Sequence, residues 1–201
     1  GKGGPDRGVT VLDLACGTGS MAVRMAKRNL KVIGLDASEA MLAVAYDKAE
    51  TWGVPVFLTC QDMTEFTLDQ TVDAAVCLFD SLNYLTEDGD LEQAFICTFQ
   101  ALKPGGLFLF DLHTEARFHE MANEIYVERD DDIAYIWESD YDESTRICTM
   151  DLTVFVRHGD KYVRFDEVHE ERAYGDDHVQ AALKSAGFDL KARFGDRKSV
   201  V

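Results

Sequence analysis

VLDLACGTGS, residues 11–20, runs from an apolar, strand-like stretch directly into a glycine-rich turn. Gly17 and Gly19, with Ala22 three positions on, spell GxGxxA, a spacing whose backbone amides cradle a pyrophosphate where a strand hands over to a helix. Asp13, just before the turn, conflicts with that reading. A carboxylate beside two phosphates in a partly desolvated site costs kilocalories of like-charge repulsion.

Working outward, residues 9–14 and 31–36 read as strands, and Met21, Ala22, Met25 and Ala26 repeat between them at helical spacing. Ser38 is placed to cap a helix carrying Met41, Leu42, Ala45 and Ala49, and GVPVFLTC follows as a third strand. Residues 72–78 form a fourth. Leu91, Phe95, Thr98 or Phe99, and Leu102 then mark a helix that KPGG stops, and residues 107–111 are the fifth strand. Strands apolar on both faces, alternating with helices, predict an α/β fold: an open, doubly wound, mostly parallel sheet between helices.

After Asp111 the pattern changes. Residues 120–143 hold ten acidic residues and one arginine, interleaved with Tyr126, Tyr135, Trp137 and Tyr141. Two alternating stretches follow, RICTMDLTVFVR and KYVRFDEVHEER, joined at Gly159-Asp160, a two-residue hairpin turn. Cys148, Met150, Leu152, Val154 and Val156 share one apolar face, and Thr149, Asp151 and Thr153 the other. The pattern predicts a small antiparallel β insert after the fifth strand, over about residues 124–173. The expected organisation is one domain over residues 1–201, its core built from residues 8–119 and 174–201. That core resumes with a helix capped by Asp176 and closed by Gly187, then a strand over residues 188–194.

Composition narrows the function classes. The net charge is −17, from 37 acidic and 20 basic residues, and no basic cluster offsets it, which argues against a nucleic-acid substrate. No run approaches the ~18 apolar residues of a membrane span, and no basic-then-apolar leader precedes the first strand, so a cytoplasmic protein is expected. The five cysteines, Cys16, Cys60, Cys77, Cys97 and Cys148, lack CxxC spacing and read as reduced, buried small hydrophobes, with no metal role.

In open α/β sheets ligands bind at the carboxyl ends of the strands. Here those ends are acidic: Asp13, Asp36, Asp62, Asp80 and Asp111. A cofactor with cationic groups and no phosphate suits such a rim, and S-adenosylmethionine is one. At these residues the chain resembles the class I S-adenosylmethionine-dependent methyltransferases, whose fold is Rossmann-like. DLACGTG matches their glycine-rich signature, with Ala15 where the family often has its first glycine. The resemblance implies that Ala15, Cys16, Gly17, Thr18 and Gly19 line the methionine part of the cofactor, with Asp13 helping to hold its ammonium. It implies that Asp36 accepts the ribose hydroxyls, with Ala37, Met41 and Gln61 beside it, and that Asp62 and Met63 contact adenine. Phe79 and Asp80 are expected against the cofactor. S-adenosylhomocysteine is the implied product.

The acceptor site has no universal motif, because methyl transfer mainly requires alignment of the acceptor lone pair. FDSLNY stands where an Asn/Asp-Pro-Pro-Tyr segment would serve base or glutamine amino groups, and no Pro-Cys is present. The insert and RFDEVHEERAY are similar to features of small-molecule N-methyltransferases, so a small-molecule acceptor, an amine nitrogen, is expected. Asn83 or Tyr84 is placed to face the acceptor, and His113, then His169, are the expected bases. The insert's edge strands offer pairing to a second copy, a homodimer. A nicotinamide-linked (NAD(P)-dependent) oxidoreductase and a cofactor-binding module without turnover are the competing readings. The start at Gly1 leaves little room for the family's N-terminal lid, and RKSVV ends where a last strand would begin, so the chain reads as a fragment.

Overall fold

The central sheet has strand order β3-β2-β1-β4-β5, every neighbouring pair parallel. The computed structural model describes residues 8–122 and 124–195. Its core elements are β1 (Thr10–Leu14), α1 (Ser20–Ala26), β2 (Lys31–Asp36), α2 (Glu39–Trp52), β3 (Val56–Cys60), β4 (Val72–Cys77), α3 (Asp90–Ala101) and β5 (Leu102–Phe110). The chain steps outward from β1 through β2 and β3, then returns to place β4 on the other side of β1. The strand order therefore reverses between β1 and β4, the crevice where open α/β sheets bind ligands.

Burial follows the alternation of side chains along each strand. Leu12, Leu14, Ile33 and Leu35 face a core shared with Leu91 and Phe95 of α3. Val11 and Val32 face the other way, onto Ala22, Met25 and Ala26 of α1. All five β1 residues are buried, Asp13 among them, so the strand's apolar side chains occupy both faces of the sheet. A fully buried leucine or phenylalanine such as Leu12 or Phe95 contributes about 1.5–3 kcal/mol relative to exposure.

The fifth strand starts earlier than its sequence suggests. KPGG lies within β5, where the pairing with β4 jumps from Val72–Leu102 to Ala74–Leu107 and Gly105 takes φ 79°. The extra residues are absorbed as an irregularity, so turn chemistry appears inside a strand.

The second sheet is antiparallel, in the order β6 (Ile125–Arg129), β7 (Ile133–Asp142), β8 (Ile147–His158) and β9 (Lys161–Arg172). It follows β5 through α4 (Glu115–Met121). β8 and β9 pair along their whole length about the Gly159-Asp160 turn, with Gly159 at φ 68°. Only the inner end of the sheet is packed: Tyr141, Cys148 and Met150 close over Phe118 of α4. α5 (Asp176–Ala186) returns the chain to the core, burying Ala182 and Leu183.

Two expectations at this end are corrected. The cap of α5 is Gly175, and Asp176 is the first helical residue, where its charge suits the helix dipole. Residues 188–194 form no strand. Extended backbone becomes a strand only with a ladder partner, and none pairs with this segment among the described residues. Phe188 instead packs its ring on Phe99 and Phe108, with centroids 5.2 and 5.7 Å away. RKSVV lies outside the described residues. No helix among the described residues is long and apolar enough to cross a membrane.

Candidate functional site

The turn after β1 is built by backbone that ordinary residues avoid. Ala15, Gly17 and Gly19 have φ of 55°, 53° and 72°. Cross-links to β2 hold it there. Cys16 donates its N–H to the Leu35 carbonyl at 2.9 Å, and Gly17 donates to Asp36 Oδ2 at 2.7 Å. The other Asp36 oxygen accepts the Ser38 N–H at 2.9 Å, and Ser38 in turn caps α2 at Met41. Gly19 has a second reason to be glycine: a Cβ there would lie 2.7 Å from Cβ of Ala45.

The other residues of the turn have distinct surroundings. The Cys16 thiol points toward Gly34, and burial first, then the Asp13 and Asp36 charges, push its pKa up to about 12, so it is an inert packing group. Thr18 accepts a hydrogen bond from Lys48 at 3.1 Å. Half-exposed Met41 lies over the turn, its sulfur 3.6 Å from where a Gly17 Cβ would sit. The Ala37 carbonyl accepts the Cys60 thiol at 3.5 Å.

Asp13 is 3% exposed, and its Oδ2 is buried without a partner among the described residues. Burial, and secondarily repulsion from Asp36, raise its pKa to about 7 against the lowering effect of the Ala22 N–H. An orphaned acceptor of this kind costs about 1–3 kcal/mol and is relieved by a cationic or N–H donor, whereas a phosphate would worsen it. The residues present thus fit a cofactor bearing an ammonium and a sulfonium, and do not fit a pyrophosphate.

Farther along the rim, exposed Asp62 accepts the Thr64 N–H and hydroxyl at 2.8 and 2.7 Å through Oδ1. Met63 packs against the main core. Gln61 spends its side chain on the loop itself, bonding Thr59 Oγ1 and both backbone groups of Thr67.

Across the crevice, β4 ends in two consecutive left-handed residues that are not glycine, Phe79 at φ 62° and Asp80 at φ 52°. Such conformations cost about 1–3 kcal/mol each and persist where surroundings enforce them. Here the Asp80 N–H is held by Asp111 Oδ2 at 3.2 Å, and Phe79 is left 71% exposed at the rim. The Asp80 carboxylate lies 3.7 Å from Nδ1 of His113, and Glu171 lies 3.2 Å from the same nitrogen. The Glu171 contact, opposed by partial burial and assisted by the Asp80 charge, raises the His113 pKa. Burial, with repulsion from Glu171 partly offset by His113, brings Asp80 to about 6. One nitrogen or oxygen from each of the three residues lies within 4.8 Å of the others, so their charges are strongly felt by one another.

Tyr84 and His169 form a neighbouring pair. The Tyr84 hydroxyl is 3.3 Å from His169 Nδ1, and His169 Nε2 is 3.3 Å from Glu167. Both nitrogens of His169 are engaged, and burial with surrounding carboxylates raises the Tyr84 pKa to about 12. Asn83 does not face an acceptor. Fully buried, it donates to the carbonyls of His113 and Arg172 at 3.1 and 2.8 Å and accepts the His113 N–H at 2.9 Å. It is a clamp between the end of β5 and β9.

Glu171 was not among the expected site residues. Its signal was present: the Gly159-Asp160 turn pairs it with Cys148, placing a carboxylate on the insert's apolar face. Two shallow concavities elsewhere, beside α5 and beside the start of β2, carry none of these groups.

Residues 11–106 match the methyltransferase domain family. The chain is 39% identical to a putative methyltransferase of Bacillus subtilis over 188 residues, covering 92% of this chain and 75% of that protein. A solved S-adenosylmethionine-dependent methyltransferase from Clostridium acetobutylicum superposes with TM-score 0.82 at 33% identity, covering 88% of this chain and 72% of that one. An S-adenosylmethionine-bound amino pentose methyltransferase from Micromonospora echinaspora gives TM-score 0.75 at 27% identity, covering 91% and 76%. With the reversed strand order, the acidic glycine turn and these likenesses, the chain belongs to the class I S-adenosylmethionine-dependent methyltransferase family.

Proposed function

We propose that this protein transfers a methyl group from S-adenosylmethionine to an amine nitrogen of a small molecule. The observation that carries the reading is the pairing of groups across the crevice between β1 and β4. On one side stands Asp13 with its unpartnered oxygen, on the other His113 between Asp80 and Glu171. The amino pentose acceptor named for the Micromonospora enzyme supports the amine class.

When bound, the sulfonium supplies a methyl carbon already activated for displacement. The chain's own residues hold and align. Asp13 and the turn from Ala15 to Gly19 receive the methionyl end; Asp36, with Ala37 and Met41 nearby, receives the ribose. Asp62 and Met63 flank the adenine, and Gln61 keeps their loop in shape. Phe79 and Asp80 close the cofactor side of the acceptor space.

At neutral pH an amine acceptor arrives as an ammonium, which the acidic rim attracts. His113 takes one proton from it, leaving the nitrogen lone pair free to attack. Tyr84, kept as a phenol, donates or accepts a hydrogen bond at the mouth, and His169 holds Tyr84 in place.

Calorimetric titration tests the reading. S-adenosylhomocysteine binds and stabilises the protein, and a panel of primary and secondary amines yields methylated product by mass spectrometry. No binding at millimolar S-adenosylhomocysteine, or stronger stabilisation by a nicotinamide dinucleotide, overturns it. Binding without turnover on any amine removes the acceptor class and leaves a cofactor-binding module.

A further inference from the structure

Among the described residues the insert buries one carboxylate, that of Glu171. Glu171, on β9, is 2% exposed, and its carboxylate reaches a single imidazole, His113 Nδ1 at 3.2 Å. Its backbone surroundings are fixed as firmly as its side chain. Asn83 ties the backbone of His113 to the carbonyl of Arg172, the next residue after Glu171, through three hydrogen bonds of 2.8–3.1 Å. Arg172 is itself anchored to the Thr86 carbonyl at 2.9 Å and to Asp88 at 2.7 Å. Phe118 sets its ring edge against the imidazole, with centroids 5.6 Å apart at 86°. The Glu171 and Phe118 contacts bear on the imidazole ring itself, and the Asn83 and Arg172 bonds fix the backbone that carries it and its partner.

We infer that Glu171 is a positioning residue that holds His113 in the tautomer with hydrogen on Nδ1, leaving the Nε2 lone pair for the acceptor. The inference rests on the methyltransferase reading for its purpose, but its geometry stands independently. Nδ1 donates its proton to the Glu171 carboxylate. When Nε2 takes a proton from the acceptor ammonium, the acceptor's N–H bond breaks, its electron pair stays on nitrogen, and the new N–H forms on the imidazole. The resulting imidazolium is stabilised by Glu171, which never receives the proton. The β insert is thereby coupled to the core's chemistry: β9 orients a base that the end of β5 carries.

The charged and titratable groups facing His113 are Glu171 from β9, Asp80 from the end of β4 and Arg117 from α4. Those facing Glu171 are His113, Asp80, Tyr84 and Cys148. Asp80, at 3.7 Å from Nδ1, is the one group able to substitute for Glu171.

The test is a nitrogen-15 titration of the histidine side chains in the whole protein, which needs no acceptor. Wild-type His113 is expected as the Nδ1–H tautomer, with a pKa above the ordinary imidazole value of 6.5. Glu171→Gln is expected to lower the His113 pKa and to mix the tautomers, and Asp80→Asn to change the tautomer little. An Nε2–H tautomer in the wild type, or an unchanged His113 signature in Glu171→Gln, overturns the inference. Should Glu171→Gln fail to fold, the wild-type tautomer alone decides. Calorimetry with S-adenosylhomocysteine on the same samples separates the two claims: unchanged binding in Glu171→Gln with a shifted His113 supports both. Absent binding in the wild type removes the methyltransferase reading while the histidine result still judges Glu171.

Discussion

Asp36 accepts the backbone N–H of Gly17 at 2.7 Å, tying the end of β2 to the turn that follows β1. Nineteen residues apart in sequence, the two meet because β1 and β2 are register neighbours, with Leu14 opposite Leu35. The carboxylate thus shapes the turn before any ligand arrives. Asp36→Ala is expected to weaken S-adenosylhomocysteine binding at least tenfold, since a hydrogen bond to a charged group contributes about 1.5–3 kcal/mol. In the ligand-free protein, hydrogen exchange at the Gly17 amide should accelerate. Unchanged affinity by calorimetry rejects the ribose role, and unchanged exchange rejects the shaping role.

Asp13 makes an opposite kind of prediction, a gain in stability with a loss in binding. Its folded pKa of about 7 lies above its ordinary value of 3.8, so the folded state holds the proton to higher pH than the unfolded state does. Stability must then fall as pH rises from about 4 to about 7, by on the order of 4 kcal/mol at 1.36 kcal/mol per pH unit. Asp13→Asn removes that loss while its amide oxygen can still accept the Ala22 N–H. Urea denaturation should show the variant and wild type equal near pH 4, the variant more stable above pH 7, and S-adenosylhomocysteine bound more weakly. A variant no more stable than wild type at pH 8 contradicts the buried, unpaired state of this carboxylate.

Gly19 is fixed by both conformation and space. An alanine there would hold φ at 72° and meet Ala45 Cβ at 2.7 Å. Gly19→Ala is expected to cost about 1–3 kcal/mol from overpacking, with further strain from the left-handed backbone. Adding Ala45→Gly removes the Cβ contact and should recover part of that loss in thermal denaturation. No recovery assigns the whole effect to backbone strain.

The parts of this fold legible in the sequence are those whose physics is local. β1, β2 and β4 are largely buried, and their apolar side chains dominate the local pattern although Asp13, Asp36 and Asp73 lie within them. The Gly159-Asp160 turn set the hairpin register, and Ser38 announced α2. What escaped depends on contacts across the chain. β6 is exposed along its length and lies in an acidic segment with no clear alternation, so only its pairing with β7 identifies it as a strand. Residues 188–194 carried strand-like side chains, but a strand requires a ladder partner that no local pattern reveals. At the rim, the glycines and the strand-end aspartates were visible as a motif. Glu171 could be assigned by the hairpin register to the face of Cys148, but its meeting with His113 could not, because that contact joins elements remote in sequence.

Asn83 shows how much of the site depends on one buried amide. Its side chain satisfies three backbone groups, the N–H and carbonyl of His113 and the carbonyl of Arg172, none of which has a local partner to fall back on. Asn83→Ala leaves these three part-buried groups unpaired unless water enters, and an expected cost of about 1–3 kcal/mol follows from orphaning polar groups. Asn83→Asp is the sharper variant. It keeps the acceptor for the His113 N–H but replaces a donor aimed at two carbonyls with an anionic oxygen, close to a region that already holds Asp80 and Glu171. It should therefore destabilise at least as much as alanine near neutral pH and recover as pH falls and the carboxyl becomes a donor again. Urea denaturation from pH 5 to 8 distinguishes the two. A pH-independent Asn83→Asp variant no less stable than wild type would show that β9 is held to the core by packing around Phe118, and not by this clamp.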